Sequence, residues 1–459
     1  MIIQLSSGIS FHVTNRRKIR WIINKHFSKI VRIIEEKYYD KYPSNIHKCR
    51  NLKYLKVRYS TITNISYVKW FSMLMNIYVI HSGFTDISYI RYCHNLHKIT
   101  LCNSFTSTIP FLGKLPFLKK LTLNRNNTVS LINIQNCTSM QKLDVSNNDI
   151  NSIRPLNKMV RLITLSISDN SINKLCNMRN LINIQKLDIS HNNIGSLYCL
   201  RDLISLRELR CESCGITGLK YLNNCHRLEY LDVSINNLIN LKGIEKCWKL
   251  EKLNINRNNI ISLKTLKYLP NLEHLKCDNN KIRSLVGIEH CKKLLTLTIQ
   301  RNNLKSLRRL GNCVKLEYLN VNKNKIITLK GIRGLILLKK IYIEYNLLEE
   351  FIVTNPELTI VICNNNNIKT LSITKNKRIR ELGIRNNKID TLENISTCLT
   401  LKYLDCCYNL INTLYSIKDM IGLTSLCCRN NMLTNLHGIE KLVCLDELNC
   451  AENNITTLS

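Results

Sequence analysis

Glycine and proline are scarce in this sequence, with 14 Gly and 6 Pro among 459 residues. Flexible linkers between separate domains are rich in these residues, so their scarcity favours one continuous architecture. The chain has no run of 18 apolar residues, and residues 1–15 contain no charged segment followed by an apolar stretch. We therefore expect neither a transmembrane segment nor a secretory signal, and we predict an intracellular, cytoplasmic protein, with a nuclear location left open.

Acidic residues are few as well. The chain has 32 Asp and Glu against 67 Lys and Arg, which gives a formal net charge of +35. Such an excess indicates either polyanionic partners or a surface that is merely rich in lysine. Apolar residues make up 44% of the chain, enough for a large core, so the composition is not that of a disordered protein.

Catalytic motifs are absent from the sequence. The 11 His are scattered, and there is no H-E-x-x-H, no nucleophile elbow and no glycine-rich phosphate loop. Asp144, Asp188 and Asp232 recur at equivalent positions, which leaves paired carboxylates or a cation site open, but the repeat described next accounts for them. We predict a non-enzymatic protein that needs no cofactor and no metal.

The dominant feature of the sequence is a repeat of 22 residues. With Leu143 as position zero, apolar residues recur at steps of 22 forward to Ile341 and backward to Leu55; steps of 20, 21 and 22 then continue the series to Leu448, for nineteen coils. Positions zero and +2 alternate with polar residues, which predicts a short strand with one buried side in each coil. One coil cannot bury its own apolar side, so the coils must stack into a solenoid.

A recurrent asparagine follows the strand in fifteen of the nineteen coils, where the others have Cys214, Ser60, Ser82 and Ser104. The Asn amide has two donors and one acceptor, so it can satisfy backbone groups inside the stack, and we predict a structural ladder of these side chains. The predicted ladder comprises Asn126, Asn148, Asn170, Asn192, Asn236, Asn258, Asn280, Asn302, Asn324, Asn346, Asn366, Asn387, Asn409, Asn431 and Asn453.

The pattern L-x-x-L-x-L/V/C-x-x-N-x-I/L-x-x-L resembles that of leucine-rich repeat proteins over residues 51–459. Turns such as LKGIEK (241–246) and LVGIEH (285–290) are similar to the 22-residue class found in a regulatory subunit of protein phosphatase 1 and in bacterial internalins. The abundance of Asn, Ile, Lys and Tyr also resembles that of uncharacterised leucine-rich repeat proteins of giant DNA viruses. The resemblance implies an α/β solenoid, an arc of about 19 coils with a concave parallel sheet, short convex helical turns and a binding role.

The two ends of the chain depart from the repeat. Residues 1–50 are predicted to form an N-terminal helical cap, and residues 51–459 the solenoid; apolar residues spaced by threes and fours over residues 16–39 indicate an amphipathic helix that covers the first coil. The basic residues of this helix leave binding to a membrane surface or to nucleic acid open. No polar capping segment follows the last coil at Leu458, so we leave oligomerisation through the C-terminal edge open.

Cysteine is frequent, with 21 residues, and most of them fall on inward repeat positions, which predicts free buried thiols. Cys211 and Cys214 have the spacing of some zinc and redox sites, but the repeat accounts for both. Cys407 and Cys427 differ because they take outward positions on adjoining coils. We expect two exposed thiols there, with a regulatory thiol pair as the alternative.

The predicted binding surface is the outward, concave face of the sheet, made of positions −1, +1, +3 and +4. Over nineteen coils these positions carry 16 Lys and Arg and 12 Asp and Glu, which favours a protein partner over a nucleic acid on this face. The alternatives are an electrostatic nucleic-acid-binding protein that uses the basic convex surface and the N-terminal helix and, by resemblance alone, a phosphatase regulator. The predicted partner-binding patch comprises Tyr318, Tyr342, Tyr345, Ile360, Ile362, Tyr403 and Tyr408.

Overall fold

The structure is a computed structural model, and it describes residues 1–35, 44–59, 65–82, 87–104, 109–175, 178–373 and 376–457. Its helix is α1 (Arg16–His26). The strands are β1 (Ile2–Leu5), β2 (Ser10–His12), β3 (Ile30–Glu35), β4 (Tyr54–Arg58), β5 (Asn76–Ile80), β6 (Lys98–Cys102), β7 (Lys120–Thr122), β8 (Lys142–Asp144), β9 (Thr164–Ser166), β10 (Lys186–Asp188), β11 (Glu208–Arg210), β12 (Tyr230–Asp232), β13 (Lys252–Asn254), β14 (His274–Lys276), β15 (Thr296–Thr298), β16 (Tyr318–Asn320), β17 (Lys340–Tyr342), β18 (Glu350–Ile352), β19 (Ile360–Ile362), β20 (Thr370–Ser372), β21 (Glu381–Gly383), β22 (Tyr403–Asp405), β23 (Ser425–Cys427) and β24 (Glu447–Asn449). Short 3-10 helices span Phe27–Lys29, Ile46–Lys48, Ser66–Trp70, Ser88–Tyr92, Ile132–Ile134, Arg154–Lys158, Met178–Asn180, Tyr198–Leu200, Lys220–Leu222, Lys264–Tyr268, Ile288–His290, Arg308–Asn312, Glu393–Ile395 and Tyr415–Ile417.

The first compact unit comprises residues 1–217 and 221–228. Strand β1 pairs antiparallel with β2 and β3, and the strands from β3 to β11 pair in parallel. Leu143 lies opposite Leu165, and Leu165 lies opposite Leu187. Residues 22 apart are therefore side by side on hydrogen-bonded strands, which confirms the stacked coils that the periodicity predicts.

The second compact unit comprises residues 218–220 and 229–459. Strands β12 to β17, β19 and β21 to β24 follow one another in parallel register, and position zero pairs with position zero across the shortened coils, as in Ile341 with Val361 and Val361 with Leu382. With eight coil strands in the first unit and eleven in the second, the prediction of nineteen coils is confirmed.

Helix α1 is shorter than the predicted amphipathic segment, residues 16–39. It begins after Asn15, whose side-chain oxygen accepts a hydrogen bond from the backbone N–H of Arg17, and it ends at His26. Four of the six residues of β3 are β-branched, and they extend because β3 pairs with both β1 and β4. The end of the predicted segment, residues 36–43, lies outside the described residues. Within the described ranges, no helix has the length and apolar content needed to cross a bilayer.

The apolar side of α1 is buried within the first unit. Ile19, Ile22 and Ile23 are at most 3% exposed. By contrast, the side chains of Arg17, Lys18, Arg20 and Lys25 are exposed to solvent. A helix whose apolar face is already buried against protein has no such face left for lipid, which argues against the membrane-surface alternative.

The recurrent asparagines satisfy backbone groups between adjacent coils. In the second unit, Oδ1 of Asn302 accepts from the backbone N–H of Ile282, 2.9 Å away, and Nδ2 donates to the carbonyl oxygen of Cys277 at 3.0 Å. The same pair of contacts recurs from Asn280 to Asn453. Each of these amides therefore connects its own coil to the preceding one.

A left-handed residue precedes each ladder position. Nineteen non-glycine residues, from Tyr59 to Glu452 in the steps of the repeat, have φ between +50° and +58°. Most of their backbone N–H groups bond to the next coil, as Arg257 donates to the carbonyl oxygen of Asp278 at 2.8 Å. These hydrogen bonds hold a conformation that costs L-residues about 1–2 kcal/mol.

The outer turns take three forms. Many coils have a 3-10 helix there, which confirms the predicted helical turns. In others a glycine allows close stacking: Gly331 has φ +111°, and a Cβ at this position would lie 2.3 Å from the carbonyl oxygen of Leu307. In the two shortened coils, β18 and β20 form a separate parallel pair, and Phe351 of β18 is fully buried.

Candidate protein-binding surface

The centre of the predicted patch lies on three neighbouring strands of the second unit. Tyr318 on β16 and Tyr342 on β17 have ring centroids 5.5 Å apart, with an angle of 39° between the rings. Strand β19 places Ile360 opposite Lys340 and Ile362 opposite Tyr342. Two tyrosines and two isoleucines, all half-exposed, thus form one continuous surface, which we call the Tyr/Ile surface.

The three other predicted residues lie around the Tyr/Ile surface. Tyr345 is 51% exposed, and the Nζ of Lys323 is 4.9 Å from its ring centroid. Tyr403 and Tyr408 belong to the coil of β22, and β21 separates this coil from β19. Since neighbouring strands are about 4.8 Å apart, these two tyrosines lie about 10 Å from β19 and form a separate, outlying pair.

A hydrogen-bonded polar row runs beside the Tyr/Ile surface. Glu344 accepts from Nδ2 of Asn322 at 2.8 Å and from Nδ2 of Asn364 at 3.0 Å, so its carboxylate is fixed between two coils. Charge is balanced on the outward positions of these coils. The charged residues from β16 to β22 are Lys323, Lys340, Arg385, Glu344, Glu381 and Asp405.

Burial raises the pKa of Tyr342, and the neighbouring Tyr318, Glu381 and Glu344 raise it further. An ionised phenol at this position would be poorly solvated and close to negative charge. Tyr342 therefore stays neutral at physiological pH, as an apolar ring with a hydroxyl donor.

The expectation of two exposed free thiols at Cys407 and Cys427 is wrong. The two residues form a disulfide, with Cα atoms 5.7 Å apart on neighbouring coils, and Cys407 is only 1% exposed. Asp405 lies close enough for its carboxylate and both sulfur atoms to fall within 4.8 Å of one another, and burial raises the pKa of Asp405. Because the two sulfurs are bonded to each other, this trio offers no thiolate to a metal ion.

The Cys211 and Cys214 pair has a structural environment. Both residues are buried, and the Cys214 thiol donates to the carbonyl oxygen of Ile189 at 3.1 Å, in the place of a ladder asparagine. Burial raises the pKa of Cys214 to about 12, so the thiol stays protonated.

Each recurrent aspartate accepts hydrogen bonds from the serine two residues later in its own coil. Oδ1 of Asp144 accepts from the backbone N–H and the hydroxyl of Ser146, and Asp232 makes the same two contacts with Ser234. These hydrogen bonds satisfy the backbone at the end of the strand, which gives the aspartates a structural role.

A second outward surface, on the first unit, was missed by the sequence analysis because charge was averaged over all coils. The outward positions of the first four coils carry five Lys and Arg and no acid, whereas those of the other fifteen carry 11 bases and 12 acids. On this surface the guanidinium of Arg32 lies 4.2 Å from the ring centroid of Tyr54. Tyr54 and Tyr78 are 5.1 Å apart, and Nζ of Lys98 is 4.8 Å from the Tyr78 ring. Counting charge coil by coil would have found it.

Comparison with known proteins bears on the fold. No protein-family model and no curated protein matches the sequence. Many solved structures do match, and their identities to this chain are low.

Three of these structures indicate how far the similarity extends. The Arabidopsis receptor kinase HAESA matches with a TM-score of 0.71 at 18% identity. The matched region covers 92% of this chain and 78% of the HAESA chain. A leucine-rich repeat protein of Leptospira interrogans matches with a TM-score of 0.63 at 22% identity, over 92% of this chain and 95% of the Leptospira chain. The internalin InlF of Listeria monocytogenes matches with a TM-score of 0.57 at 22% identity, over 72% of this chain and 89% of the internalin chain. With the stacked coils described above, these similarities show that the chain has the leucine-rich repeat fold.

Proposed function

We propose that the protein is a non-enzymatic scaffold that binds a protein or peptide partner on the outward sheet face of its second unit. The observation that carries the proposal is the Tyr/Ile surface, with Tyr345 at its margin and Tyr403 and Tyr408 as an outlying contact. Exposed tyrosines at the centre of an apolar surface, bordered by polar groups, are typical of protein interfaces.

The fixed polar row supports a specific partner. Glu344 is held by two asparagines before any partner binds, so little side-chain entropy is lost when it accepts a further hydrogen bond. Since the charges around the Tyr/Ile surface are balanced, binding there should depend little on salt.

Two of the similar solved structures support the class of partner. HAESA is seen in complex with the peptide hormone IDA and the co-receptor SERK1, and the plant receptor RGFR1 in complex with RGF2. These partners belong to those receptors. What we carry over is the class alone, a peptide or a protein.

The test is affinity capture from the cells that naturally make the protein, at 50 and 200 mM salt, followed by mass spectrometry. We expect a protein that the wild type retains at both salt concentrations and that Tyr342→Ala/Tyr345→Ala/Tyr408→Ala loses at least tenfold, with little change in melting temperature. The control variant Tyr54→Ala/Tyr78→Ala, on the first unit, should retain it. Equal capture by the triple variant, or equal loss in the control, contradicts the proposal.

We further propose an intracellular location, which the many buried free thiols support; the disulfide between Cys407 and Cys427 is the opposing observation, and fractionation of expressing cells would test the location. Oligomerisation through β24 stays a prediction. The phosphatase-regulator role, the 22-residue class, the viral resemblance and nucleic-acid binding by the convex surface also stay predictions.

A further inference from the structure

The outward face of β3 to β7, in the first unit, combines rings and cations. Arg32, Tyr54, Tyr78 and Lys98 follow one another across four neighbouring strands, at the distances of cation–π and aromatic contacts given above. Strands β4, β5 and β6 have five residues each, against three in the later coils, so this part of the sheet is also wider.

Another pair of rings, which is stacked, borders the same strands. The rings of Tyr59 and His81 are 5.2 Å apart and nearly parallel, at 4°, and Tyr59 is 44% exposed. Both residues take the left-handed conformation that precedes the ladder position. The face therefore has two aromatic platforms, one across the strands and one at their ends.

Charge on this face has one sign. Its outward bases include Lys120 and Arg125, both exposed, and the first outward acid along the coils is Asp144 on β8. Later strands of the first unit are different, since Lys186 forms an ion pair with Glu208 at 2.8 Å. The face of β3 to β7 is complementary to a polyanion, whereas the strands after it carry both signs.

We propose that this face of β3 to β7 binds single-stranded nucleic acid. Phosphates would contact the lysines and arginines, and unpaired bases would stack on the tyrosines, where each stacked base is worth about 1–3 kcal/mol. An acidic peptide would use the cations and leave the rings without a role. A duplex keeps its bases stacked on each other, so it cannot use the rings either.

The test is fluorescence anisotropy of a labelled 20-nucleotide oligothymidylate with the full-length protein. We expect binding at 50 mM salt that weakens about 100-fold at 200 mM, the dependence for about five phosphate contacts on a single strand. Tyr54→Ala/Tyr78→Ala should weaken binding at least tenfold and leave the salt dependence unchanged. Lys98→Gln/Lys120→Gln should reduce the slope of log affinity against log salt by about 1.4, since each phosphate contact contributes about 0.7.

The matched control is Tyr318→Ala/Tyr342→Ala. This pair takes the same repeat positions at nearly the same ring geometry, 5.5 Å and 39°, among balanced charges. The control should bind the oligonucleotide as the wild type does. No binding by the wild type at 50 mM, equal weakening by the control, or equal binding of oligoglutamate or of a duplex of the same length would overturn the proposal. If Tyr54→Ala/Tyr78→Ala does not fold, as judged by circular dichroism, the lysine variant decides by its salt slope.

Discussion

Oδ1 of Asn258 accepts a hydrogen bond from the backbone N–H of Leu238, in the preceding coil, at 3.0 Å. Nδ2 of the same amide donates to the carbonyl oxygen of Val233, also in that coil, at 2.9 Å. One side chain therefore satisfies a donor and an acceptor that the turn between strand and outer segment leaves inside the stack.

Replacing this amide should destabilise the second unit. In Asn258→Ala the two backbone groups of the preceding coil lose their partners while they stay buried, so we expect the free energy of unfolding to fall by about 1–3 kcal/mol. Urea denaturation measures the change. The nearby Asn237 is exposed, and Asn237→Ala should stay within about 0.5 kcal/mol of wild type. Equal losses of stability in Asn258→Ala and Asn237→Ala would contradict a stabilising role of the asparagine ladder.

Gly287 should not tolerate a side chain. It has φ +106°, and an added Cβ would lie 2.4 Å from the carbonyl oxygen of Leu263, so Gly287→Ala must push two coils apart. We expect a loss of about 3 kcal/mol or more in unfolding free energy. A Cβ added at Gly422 would have no atom within 4 Å, so Gly422→Ala should change the free energy of unfolding by less than about 1 kcal/mol. Chemical denaturation of both variants tests the contrast.

Stability should fall in alkali because of the buried thiols. Burial raises the pKa of Cys93, Cys225 and Cys313 from the ordinary thiol value of 9.0 to about 12. The unfolded chain releases these protons near pH 9 and the folded chain only near pH 12. The stabilisation is therefore complete below pH 9 and is lost as pH rises from 9 to 12, by about 1.4 kcal/mol per thiol and pH unit.

The variant Cys225→Leu checks this assignment, since the preceding coil has Leu203 at the same repeat position. Urea unfolding at pH 8.5 and pH 10.5 should show a pH slope smaller than that of wild type by about one proton. An unchanged slope would mean that Cys225 ionises as readily in the folded chain as in the unfolded one.

The disulfide between Cys407 and Cys427 should respond to reductant. It joins residues 20 apart in sequence, and closure of such a loop is worth up to about 3 kcal/mol. We expect dithiothreitol to lower the midpoint of urea unfolding for the wild type and not for Cys407→Ser/Cys427→Ser. Alkylation of the denatured, unreduced protein should leave these two cysteines unlabelled; labelling of both before reduction contradicts the bond.

The sequence predicted the strand register because one constraint repeats nineteen times. A shift of one residue would turn the position-zero leucines, such as Leu143 and Leu165, from the core to solvent, so the period alone determines which residues pair. The N-terminal segment has no such repetition. Ile30, Ile33 and Ile34 fit a helical spacing as well as a strand, and pairing of β3 with β1 and β4, distant in sequence, decides between them.

Side-chain environments were less predictable than positions. The repeat places Cys407 and Cys427 on adjoining coils, and the bond between them corresponds to the alternative of a thiol pair, but the burial of Cys407 was not inferred. Likewise, the seven patch residues all lie on the second unit, yet β21 separates Tyr403 and Tyr408 from the Tyr/Ile surface. The fixed carboxylate of Glu344 depends on asparagines in two other coils, which no local pattern reveals.

The left-handed residues before the ladder have a consequence for how new recognition could arise in this molecule. Their φ stays within 8° over nineteen coils while the side chain ranges from Asp169 and Glu452 through Arg257 to Tyr345 and even the β-branched Ile235. Backbone geometry there is uncoupled from residue identity. Single substitutions among these left-handed residues can therefore change the side chains that a ligand contacts. They need no insertion and no new loop, and the backbone of the coils stays the same.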